Sequence, residues 1–294
     1  MAYKVKNMKK PLISVIIPTY KRKEKLAHCL ESVFNNTYKN IEVIVINDDP
    51  NEDLRRYLSK FHVKLLQHKE SKHVSITRNE GAKAAKGQIL FFVDDDNILD
   101  RHCIEGLVSK YVNLQNAGLL GPLMYRTDNE LWFYGGKVNW IHPTAKPLPR
   151  DAVKQELIET DLIPNAYMIS KELYFKIGME DPTFPIQEDL DLAQRLKIAG
   201  YKNYIYTKAK TIHDIGNRNI NLIDRPPNRM YNTVIYNIKI ERRYAPRSRY
   251  ILFWLIFIPV HFMLYNFYYI PFKATNKIEY YKAYWKGLHD ALCK

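Results

Sequence analysis

Short apolar segments alternate with helical patterns over the first 115 residues. The apolar segments have strand length, are rich in Ile, Val and Phe, and cover 13–18, 41–47, 64–68 and 88–94. The helical patterns cover 24–34, 52–61 and 75–85, and a further one begins at Asp100. The apolar segments are mostly continuous rather than alternating, which is typical of strands buried on both faces. This order of elements predicts an α/β fold with a parallel sheet and right-handed crossovers.

Polar clusters follow three of these predicted strands. PTYKR follows the first strand, Asn47, Asp48 and Asp49 end the second, and DDDN at 94–97 follows the fourth. Parallel α/β sheets bind ligands beyond the carboxyl ends of their strands, so we expect the three clusters to converge on one crevice. The chain has no GxGxxG after a strand and no GxxxxGK[ST]. This excludes a dinucleotide fingerprint and a P-loop.

Three aspartates, Asp94, Asp95 and Asp96, stand together at the end of the fourth predicted strand. Their mutual repulsion is costly unless a positive charge lies among them. Mg²⁺ or Mn²⁺ is a natural partner, because such cations are commonly held by one or two carboxylates together with phosphate oxygens of a substrate. The alternative is a solvated acidic turn that caps the next helix. The apolar segment QILFFV directly before the cluster favours the metal site.

The other residues of the expected crevice allow two interpretations. Asp48 and Asp49 either form an Asx-type turn before Pro50 or accept hydrogen bonds from a base or ribose, as carboxylates do at the strand ends of nucleotide-binding folds. Arg78 opens the helix before the aspartate strand. Most arginines lie at the surface, but this position directs the Arg78 guanidinium toward the crevice, where it could contact a phosphate or a base.

A second group of candidates lies further along the chain. Glu188 and Asp189 open a predicted helix that ends at Gly200. They either complement the helix N-terminus or include a general base that accepts a proton from a hydroxyl. His213 follows another apolar segment. A lone histidine is more often structural, but next to Asp214 in a glycine-containing loop His213 is a candidate contact for a metal or a diphosphate.

Composition and length describe a globular chain with one main domain. Of the 294 residues, 46% are hydrophobic, and one large domain with an appendage is more consistent with the length than two equal domains. We place the main domain at 1–224 and a basic, aromatic, helical tail at 225–294. The three cysteines form no CxxC pair, which excludes a disulfide scaffold and a structural zinc site. The N-terminus lacks the pattern of a secretory signal, so a cytosolic start is expected.

The net charge of +14 is concentrated at the two ends of the chain. Residues 1–25 carry eight Lys or Arg against one acidic residue, and residues 225–294 carry twelve against three. The part between them has 25 basic and 27 acidic residues. A nucleic-acid-binding protein concentrates basic residues on one face of its domain, so this distribution argues against a nucleic-acid partner.

The basic C-terminal region contains 23 residues without a formal charge, from Tyr250 to Phe272. This length is sufficient for a helix to cross a bilayer. However, Pro259 lies in its middle and basic residues flank both ends, whereas a spanning helix carries its excess positive charge on one side. A kinked, interfacial or re-entrant segment on anionic cytosolic lipid fits these charges better. A true span and a buried core or dimer helix remain the alternatives.

Four segments in this order resemble the signature of the family 2 inverting glycosyltransferases, which have a GT-A fold. They are SVIIPTYKR, VIVINDDP, ITRNEGAKAAKGQILFFVDDDN and QEDLDLAQRLKIAGYK. The resemblance covers roughly residues 12–216. The segment LWFYGGKVNW and the basic tail ending in GLHDALCK further resemble the rhamnosyltransferase-like branch, which builds surface polysaccharides and lipid-linked glycans.

The resemblance implies a role for each candidate. Pro18, Thr19 and Tyr20 pack on the base of a nucleoside diphosphate sugar, Asp49 contacts the base with Asp48 beside it, and Arg78 borders the same pocket. In the aspartate triplet, Asp95 faces the ribose and Asp96 the metal, with Asp94 beside them. Asp189 is the base with Glu188 next in line, and His213 lies near the metal and diphosphate. NDDP and DDDN depart from the commoner DDGS and DxDD, which leaves open which aspartate holds the metal.

The implied reaction is a single displacement at the anomeric carbon with inversion, assisted by Mg²⁺ or Mn²⁺. The implied partners are a nucleoside diphosphate sugar, a glycan or lipid-linked acceptor, and the cytoplasmic face of the cell membrane, with a homodimer as a further possibility. Two other functions compete with this one. A sugar nucleotidyltransferase would need a Gly-rich loop after the first strand, where PTYKRKEK has no glycine. A non-catalytic nucleotide-sugar-binding module at the membrane surface would not depend on Asp189 or on a metal.

Overall fold

The computed structural model describes residues 10–140, 142–214, 227–270 and 276–293. These residues form two compact units. The first comprises the described residues of Met1–Lys137 and Pro147–Gly216, and the second comprises those of Val138–Lys146 and Asn217–Lys294. The N-terminal segment 1–9, for which we expect a cytosolic start, lies outside the described residues.

Twelve strands lie in the described residues. They are β1 (Ile13–Thr19), β2 (Ile41–Asn47), β3 (Lys64–Gln67), β4 (Ile89–Val93), β5 (Asn97–Leu99), β6 (Ala117–Arg126), β7 (Leu131–Phe133), β8 (Gly136–Asn139), β9 (His142–Pro147), β10 (Leu157–Thr160), β11 (Ala166–Ser170) and β12 (Lys202–His213). The large sheet has the order β10-β12-β6-β11-β4-β1-β2-β3, with β5 on β12 and β7 on β6. β8 and β9 pair separately.

The sheet is parallel in its first half and mixed in its second half. Strands β4, β1, β2 and β3 are parallel neighbours, and Ile13 of β1 pairs with Ile41 of β2 and Ile89 of β4. β11 then lies antiparallel between β4 and β6. The predicted α/β fold is confirmed. Its antiparallel strands lie in the less regular part of the sequence, beyond the four continuous apolar segments.

Helices cover both faces of the sheet in the first unit. They are α1 (Lys23–Phe34), α2 (Val74–Ala84), α3 (Cys103–Tyr111), α4 (Lys171–Lys176) and α5 (Glu188–Ile198). Side chains of β1 alternate between two cores: Val15 and Ile17 pack with α1 and α3, and Ile16 packs with α2 and α5. Gly81 lets α2 approach β1 closely, because a Cβ there would lie 2.5 Å from Ile16 Cγ2.

The helix predicted over 52–61 is wrong. This segment consists of successive turns, with hydrogen bonds from Leu58 N to Leu54 O and from Phe61 N to Leu58 O. Leu54 and Leu58 are buried, which explains the helical spacing of the apolar positions. Asp53 Oδ1 accepts the backbone N–H of Arg55, and such a local bond favours a turn over a continuing helix.

The described part of the second unit is mainly helical. It contains α6 (Pro227–Tyr244), α7 (Arg247–Leu252) and α8 (Ile258–Met263), with π-helical turns at Phe253–Phe257 and Leu264–Tyr269, and a last helix at Lys277–Cys293. The stretch from α7 onward continues through Pro259, and we call it the apolar helix (247–269). By length and composition its segment Arg247–Phe267 could cross a membrane, with a mean hydropathy of 1.7. The end of the uncharged segment, 271–272, lies outside the described residues.

Candidate active site

A cleft of about 330 Å³ lies at the carboxyl ends of β1 and β4. Its lining comes from all three polar clusters that the sequence places after strands, and from the start of α5. The lining residues are Pro18, Thr19, Tyr20, Arg22, Asp48, Val74, Thr77, Arg78, Asp94, Asp95 and Glu188. Eight of these are candidates from the sequence. The expected convergence of the three polar clusters on one crevice is therefore confirmed.

Asp95 lies at the floor of the cleft between β1 and β4. Thr19 Oγ1 donates a hydrogen bond of 2.7 Å to Asp95 Oδ2, and Arg22 Nη1 lies 3.1 Å from Asp95 Oδ1. The same Arg22 atom lies 2.8 Å from Asp96 Oδ2. Lys21 has a positive φ of 56°, at the point where the chain turns from β1 toward α1. This turn brings Arg22 back over the aspartates.

The two aspartates have opposite pKa shifts. Burial raises the pKa of Asp95 to about 6, although Thr19 and Arg22 act against the rise. Burial also acts on Asp96, but His213, Arg22 and Lys25 outweigh it and lower the pKa of that carboxyl. The folded protein therefore binds the Asp95 proton more tightly than the unfolded chain does. Stability from Asp95 is present at acid pH and is lost as the pH rises from about 4 to about 6.

Asp95→Asn should stabilise the protein at pH 7.5, by about 1 to 3 kcal/mol, because it removes a carboxylate that is costly to ionise. At pH 4 the variant and the original chain should unfold at nearly the same temperature. Asp96→Asn is the matched control and should destabilise at pH 7.5, since the Asp96 pKa is lowered. Thermal unfolding at both pH values measures this, and shifts of the same sign for both variants would contradict it.

Asp96 and His213 meet through the pairing of β5 with β12, next to the cleft residue Asp95. His213 pairs with Asn97, and the Asp214 N–H donates to the Asp96 carbonyl at 2.8 Å. His213 Nε2 then lies 3.3 Å from Asp96 Oδ1 and 3.4 Å from Asn165 Nδ2. The sequence predicts Asp96 and His213 as metal contacts but does not predict the strand β5 that brings them together.

These residues fit a divalent cation by their chemistry. Asn165 Oδ1 is buried and accepts no hydrogen bond from the described residues. Asp96 Oδ1 is also buried, and His213 Nε2 is its neighbour at ion-pair distance. The separation of 3.3 Å between Asp96 Oδ1 and His213 Nε2 is close to the roughly 3 Å between adjacent ligands of an octahedral Mg²⁺. The described residues contain no group of three or more His, Cys, Asp or Glu placed to hold a metal. One or two protein ligands are nevertheless the usual number when phosphates complete the site.

Asp48 and Asp49 have different positions. Asp48 lines the cleft, and its carboxylate lies 2.6 Å from His68 Nδ1 and accepts hydrogen bonds from Ser71 Oγ and Lys72 N. Asp49 does not line the cleft; its Oδ1 accepts the Asn51 N–H at 3.0 Å, as in an Asx turn. Of the pair, Asp48 is therefore the one that lines the cleft.

Arg78 is buried at the centre of a carboxylate cluster. Its Nη2 lies 2.6 Å from Asp94 Oδ1, and its Nη1 lies 3.2 Å from Glu180 Oε1 and 3.1 Å from Glu188 Oε1. Although burial disfavours the charged guanidinium, these carboxylates raise the pKa of Arg78 well above its ordinary value. Arg78 thus borders the cleft, as expected, but its two terminal nitrogens are paired with protein carboxylates. It ties the end of β4 to the start of α5.

Glu188 and Asp189 open α5 after Gln187, which has a positive φ of 62°. Burial raises the pKa of both carboxyls, and the neighbouring Asp189 raises that of Glu188 further. Glu188 lines the cleft and contacts Arg78. Asp189 Oδ1 accepts the backbone N–H of Leu190 at 2.7 Å. Glu188 therefore forms an ion pair with Arg78. Among the described residues, no Lys, Arg or His lies within ion-pair distance of Asp189.

Sequence reasoning missed several residues of the site. Arg22 lies within the PTYKR cluster after the first predicted strand. Its positive charge, expected in the same crevice as the three aspartates, was a usable signal. Glu180 is fully buried, and Tyr167 donates a hydrogen bond to its Oε1. Neither Glu180 nor Asn165 belongs to a pattern that marks a site, because their roles depend on strands and loops distant in sequence.

Comparisons with known proteins support this architecture. The model of the family described as glycosyl transferase family 2 matches residues 14–178. Glycosyltransferase GlyA of Streptococcus pneumoniae is 32% identical over 126 residues, which are 42% of this chain and 18% of that protein. Poly(ribitol-phosphate) beta-N-acetylglucosaminyltransferase TarP of Staphylococcus aureus is 35% identical over 116 residues, which are 37% of this chain and 35% of TarP. The matches thus span well under half the length of these two relatives.

Solved structures show the same fold. The mannosyltransferase PcManGT from Pyrobaculum calidifontis, in complex with GDP-Man and Mn²⁺, aligns with a TM-score of 0.61 at 14% identity, over 97% of this chain and 89% of that one. GalNAc-T7 with UDP, GalNAc and Mn²⁺ aligns with a TM-score of 0.59 at 19% identity, over 71% of this chain and 44% of that one. The predicted GT-A fold is confirmed by these alignments. The family model matches more than half of this chain, so the chain belongs to glycosyl transferase family 2.

Proposed function

We propose that this protein transfers a sugar from a nucleoside diphosphate sugar to a hydroxyl of a glycan or lipid-linked acceptor, with inversion at the anomeric carbon. The product would enter a surface polysaccharide or glycoconjugate. One observation carries the proposal: the polar ends of β1, β2 and β4 and the acidic start of α5 line a single cleft, and Asp96, which follows the lining residue Asp95, lies next to His213. The family supports the class of reaction.

The donor would lie across the carboxyl ends of these strands. Tyr20, 45% exposed, offers an aromatic face to a nucleobase, and Asp48 presents a carboxylate beside it. Asp95, held by Thr19, would accept hydrogen bonds from the ribose hydroxyls. Asp96 and His213 would hold a Mg²⁺ or Mn²⁺, which when bound supplies charge stabilisation to the leaving diphosphate. The solved neighbours carry Mn²⁺ and, in one case, GDP-Man, which supports both assignments.

The acceptor hydroxyl would be activated by Asp189. The oxygen of the acceptor hydroxyl attacks the anomeric carbon as the bond from that carbon to the diphosphate breaks. The diphosphate leaves with the electron pair. Asp189 takes the hydroxyl proton. The raised pKa of Asp189 makes its carboxylate a stronger base than that of an exposed aspartate. Arg78 keeps Glu188 in an ion pair and fixes the first turn of α5, so that Asp189 has a defined position.

A donor screen tests this function. The full chain would be incubated with Mn²⁺ and each of several donors: UDP-N-acetylglucosamine, UDP-N-acetylgalactosamine, GDP-mannose and a nucleoside diphosphate rhamnose. Release of the nucleoside diphosphate is measured. The resemblance of LWFYGGKVNW to the rhamnosyltransferase-like branch makes the rhamnose donor the one we expect to be used. A donor that binds but releases no nucleoside diphosphate, with any acceptor that is added, would favour a non-catalytic binding module instead.

We further propose that the protein acts at the cytoplasmic face of the cell membrane. The first turn of the apolar helix (247–269) carries the exposed basic residues Arg247 and Arg249. The last helix adds Lys277, Lys282 and Lys286. Anionic lipid attracts such residues by about 1 kcal/mol each. A lipid-linked acceptor would explain why a glycosyltransferase carries such a tail.

A further inference from the structure

The apolar helix (247–269) has one buried and one exposed face within the second unit. The buried face includes Phe253, Phe257 and Asn266, and Ile270 directly after the helix is also buried. The exposed residues are equally apolar: Ile251 57%, Leu255 69%, Ile256 49%, Val260 49%, Met263 62%, Leu264 47% and Phe267 66% exposed. Of the fourteen large apolar side chains that are exposed among the described residues, seven thus lie on this one helix. Exposed apolar surface of this extent marks a protein or membrane contact.

The exposed apolar surface continues onto the last helix. Ile278, Trp285 and Leu292 are exposed and seven residues apart, so they share one side of that helix. Phe262 of the apolar helix contacts Trp285, with ring centroids 5.4 Å apart, and contacts Phe267 at 6.1 Å. The two exposed sides therefore meet at Phe262. We call this combined surface the apolar face.

The last helix is fixed beside the middle of the apolar helix. Tyr281 Oη donates to the Asn266 carbonyl at 2.7 Å, and Tyr284 Oη lies 3.4 Å from His261 Nδ1. α6 packs on the other side of the last helix, where Tyr231 Oη donates to Asp290 Oδ2 at 2.8 Å. A Cβ at Gly287 would lie 2.9 Å from the Tyr231 carbonyl oxygen, so these two helices are in close contact. The three helices are therefore packed against one another.

This packing argues against a spanning orientation. If the apolar helix crossed a bilayer, its centre near Pro259 and His261 would lie at the bilayer midplane. Tyr284 lies level with His261, so the exposed Lys282 and Lys286 beside it would lie close to the same depth. A charged lysine at that depth is unfavourable. An in-plane orientation places both lysines at the level of the lipid headgroups, where they are favourable.

We propose that the second unit binds an anionic lipid surface in the plane of the membrane, with the apolar face inserted among the upper acyl chains. This inference rests on the membrane association proposed above and not on the transferase reaction. Helices with an apolar side and basic residues at the rim bind membranes in this way. The two contributions add: apolar burial gives a salt-resistant attachment, and the basic residues add a part that salt screens.

Flotation of the full chain with lipid vesicles tests the attachment. Vesicles of phosphatidylcholine with phosphatidylglycerol should carry the protein at low salt, and high salt should weaken the binding without abolishing it. The double variant Leu255→Glu/Met263→Glu should bind at least about 100-fold more weakly, because each side chain contributes about 1.5 to 3 kcal/mol when buried. Ile198→Glu, in the first unit at a position 74% exposed, is the matched control and should bind as the original chain does.

The depth of Trp285 distinguishes an in-plane from a spanning orientation. Fluorescence of the full chain minus that of Trp285→Phe isolates this residue. In-plane binding predicts stronger quenching by lipids brominated near the headgroup than by lipids brominated deep in the acyl chain, and a span predicts the reverse. Deep quenching would overturn the proposal in favour of a span.

A dimer that fails to bind vesicles and that Leu255→Glu/Met263→Glu converts to a monomer would overturn the proposal in favour of a protein interface. Release of nucleoside diphosphate by the same preparations reports separately on the transferase.

Discussion

Asp189→Asn is expected to bind the nucleotide with nearly unchanged affinity and to turn over at least about 100-fold more slowly. A positioned general base contributes roughly 10² to 10⁴-fold to the rate, and an amide cannot accept the acceptor proton. The asparagine side chain has the same shape and keeps an oxygen that can accept the Leu190 N–H, as Asp189 Oδ1 does. The fold should therefore be preserved. Steady-state release of the nucleoside diphosphate, with nucleotide affinity measured by calorimetry, checks both parts.

The neighbouring Glu188→Gln is the discriminating variant. Glu188 contacts Arg78, so its amide should weaken the attachment of α5 and change both the donor KM and the turnover. It should leave the acid limb of the pH profile in place, because that limb reports the base. The rate should rise with pH through the raised pKa of Asp189, since the base acts when deprotonated. Full activity in Asp189→Asn together with a lost acid limb in Glu188→Gln would assign the base to Glu188.

The part of the site that is local in sequence could be predicted. β1, β2 and β4 are continuous apolar segments, and a polar residue directly after such a strand lies at the carboxyl edge of the sheet. This geometry places Thr19, Asp48 and Asp95 without knowledge of any long-range contact, and all three line the cleft. The residues expected within one crevice were for this reason mostly found there.

The pairing between distant residues could not be predicted. Arg78 was expected to contact phosphate or base, but Glu180 lies 102 positions further along the chain and meets it through the packing of β4, β11 and α5. Local periodicity contains no information on such a contact. The same applies to β5, whose three residues are too few to form a pattern. Its pairing with β12 nevertheless decides that His213 reaches Asp96.

The turn segment 52–61 shows where periodicity misleads. Leu54 and Leu58 are buried at a spacing of four, as on a helix, but they only close a connection between β2 and β3. Helical spacing of apolar residues over ten positions indicates that one side of the segment is buried. It does not indicate that helical backbone hydrogen bonds continue through the segment, because local hydrogen bonds such as that of Asp53 with Arg55 compete with them.

Chelation of divalent cations is expected to abolish tight donor binding, and Asp96→Asn to have the same effect in the presence of Mn²⁺. In the proposed site, Asp94, Asp95 and Asp96 would border the diphosphate. Arg22 contacts Asp95 and Asp96, and Arg78 contacts Asp94 but is shared with Glu180 and Glu188. Without a cation, a diphosphate would enter an acidic site and be repelled. A divalent ion stabilises such charge by several kcal/mol, which corresponds to a loss of affinity of 100-fold or more.

Titration of the nucleoside diphosphate into the full chain, with Mn²⁺ or with chelator, measures this by calorimetry. Asp100→Asn is the matched control: Asp100 is an exposed aspartate four residues further along, and its Oδ1 accepts the His102 N–H. That variant should bind as the original chain does. His213→Gln should lose part of the affinity, because it removes one of the side chains that would hold the ion. Equal affinity with Mn²⁺ and with chelator would remove the cation from donor binding, and Arg22 would then be the group that neutralises the diphosphate.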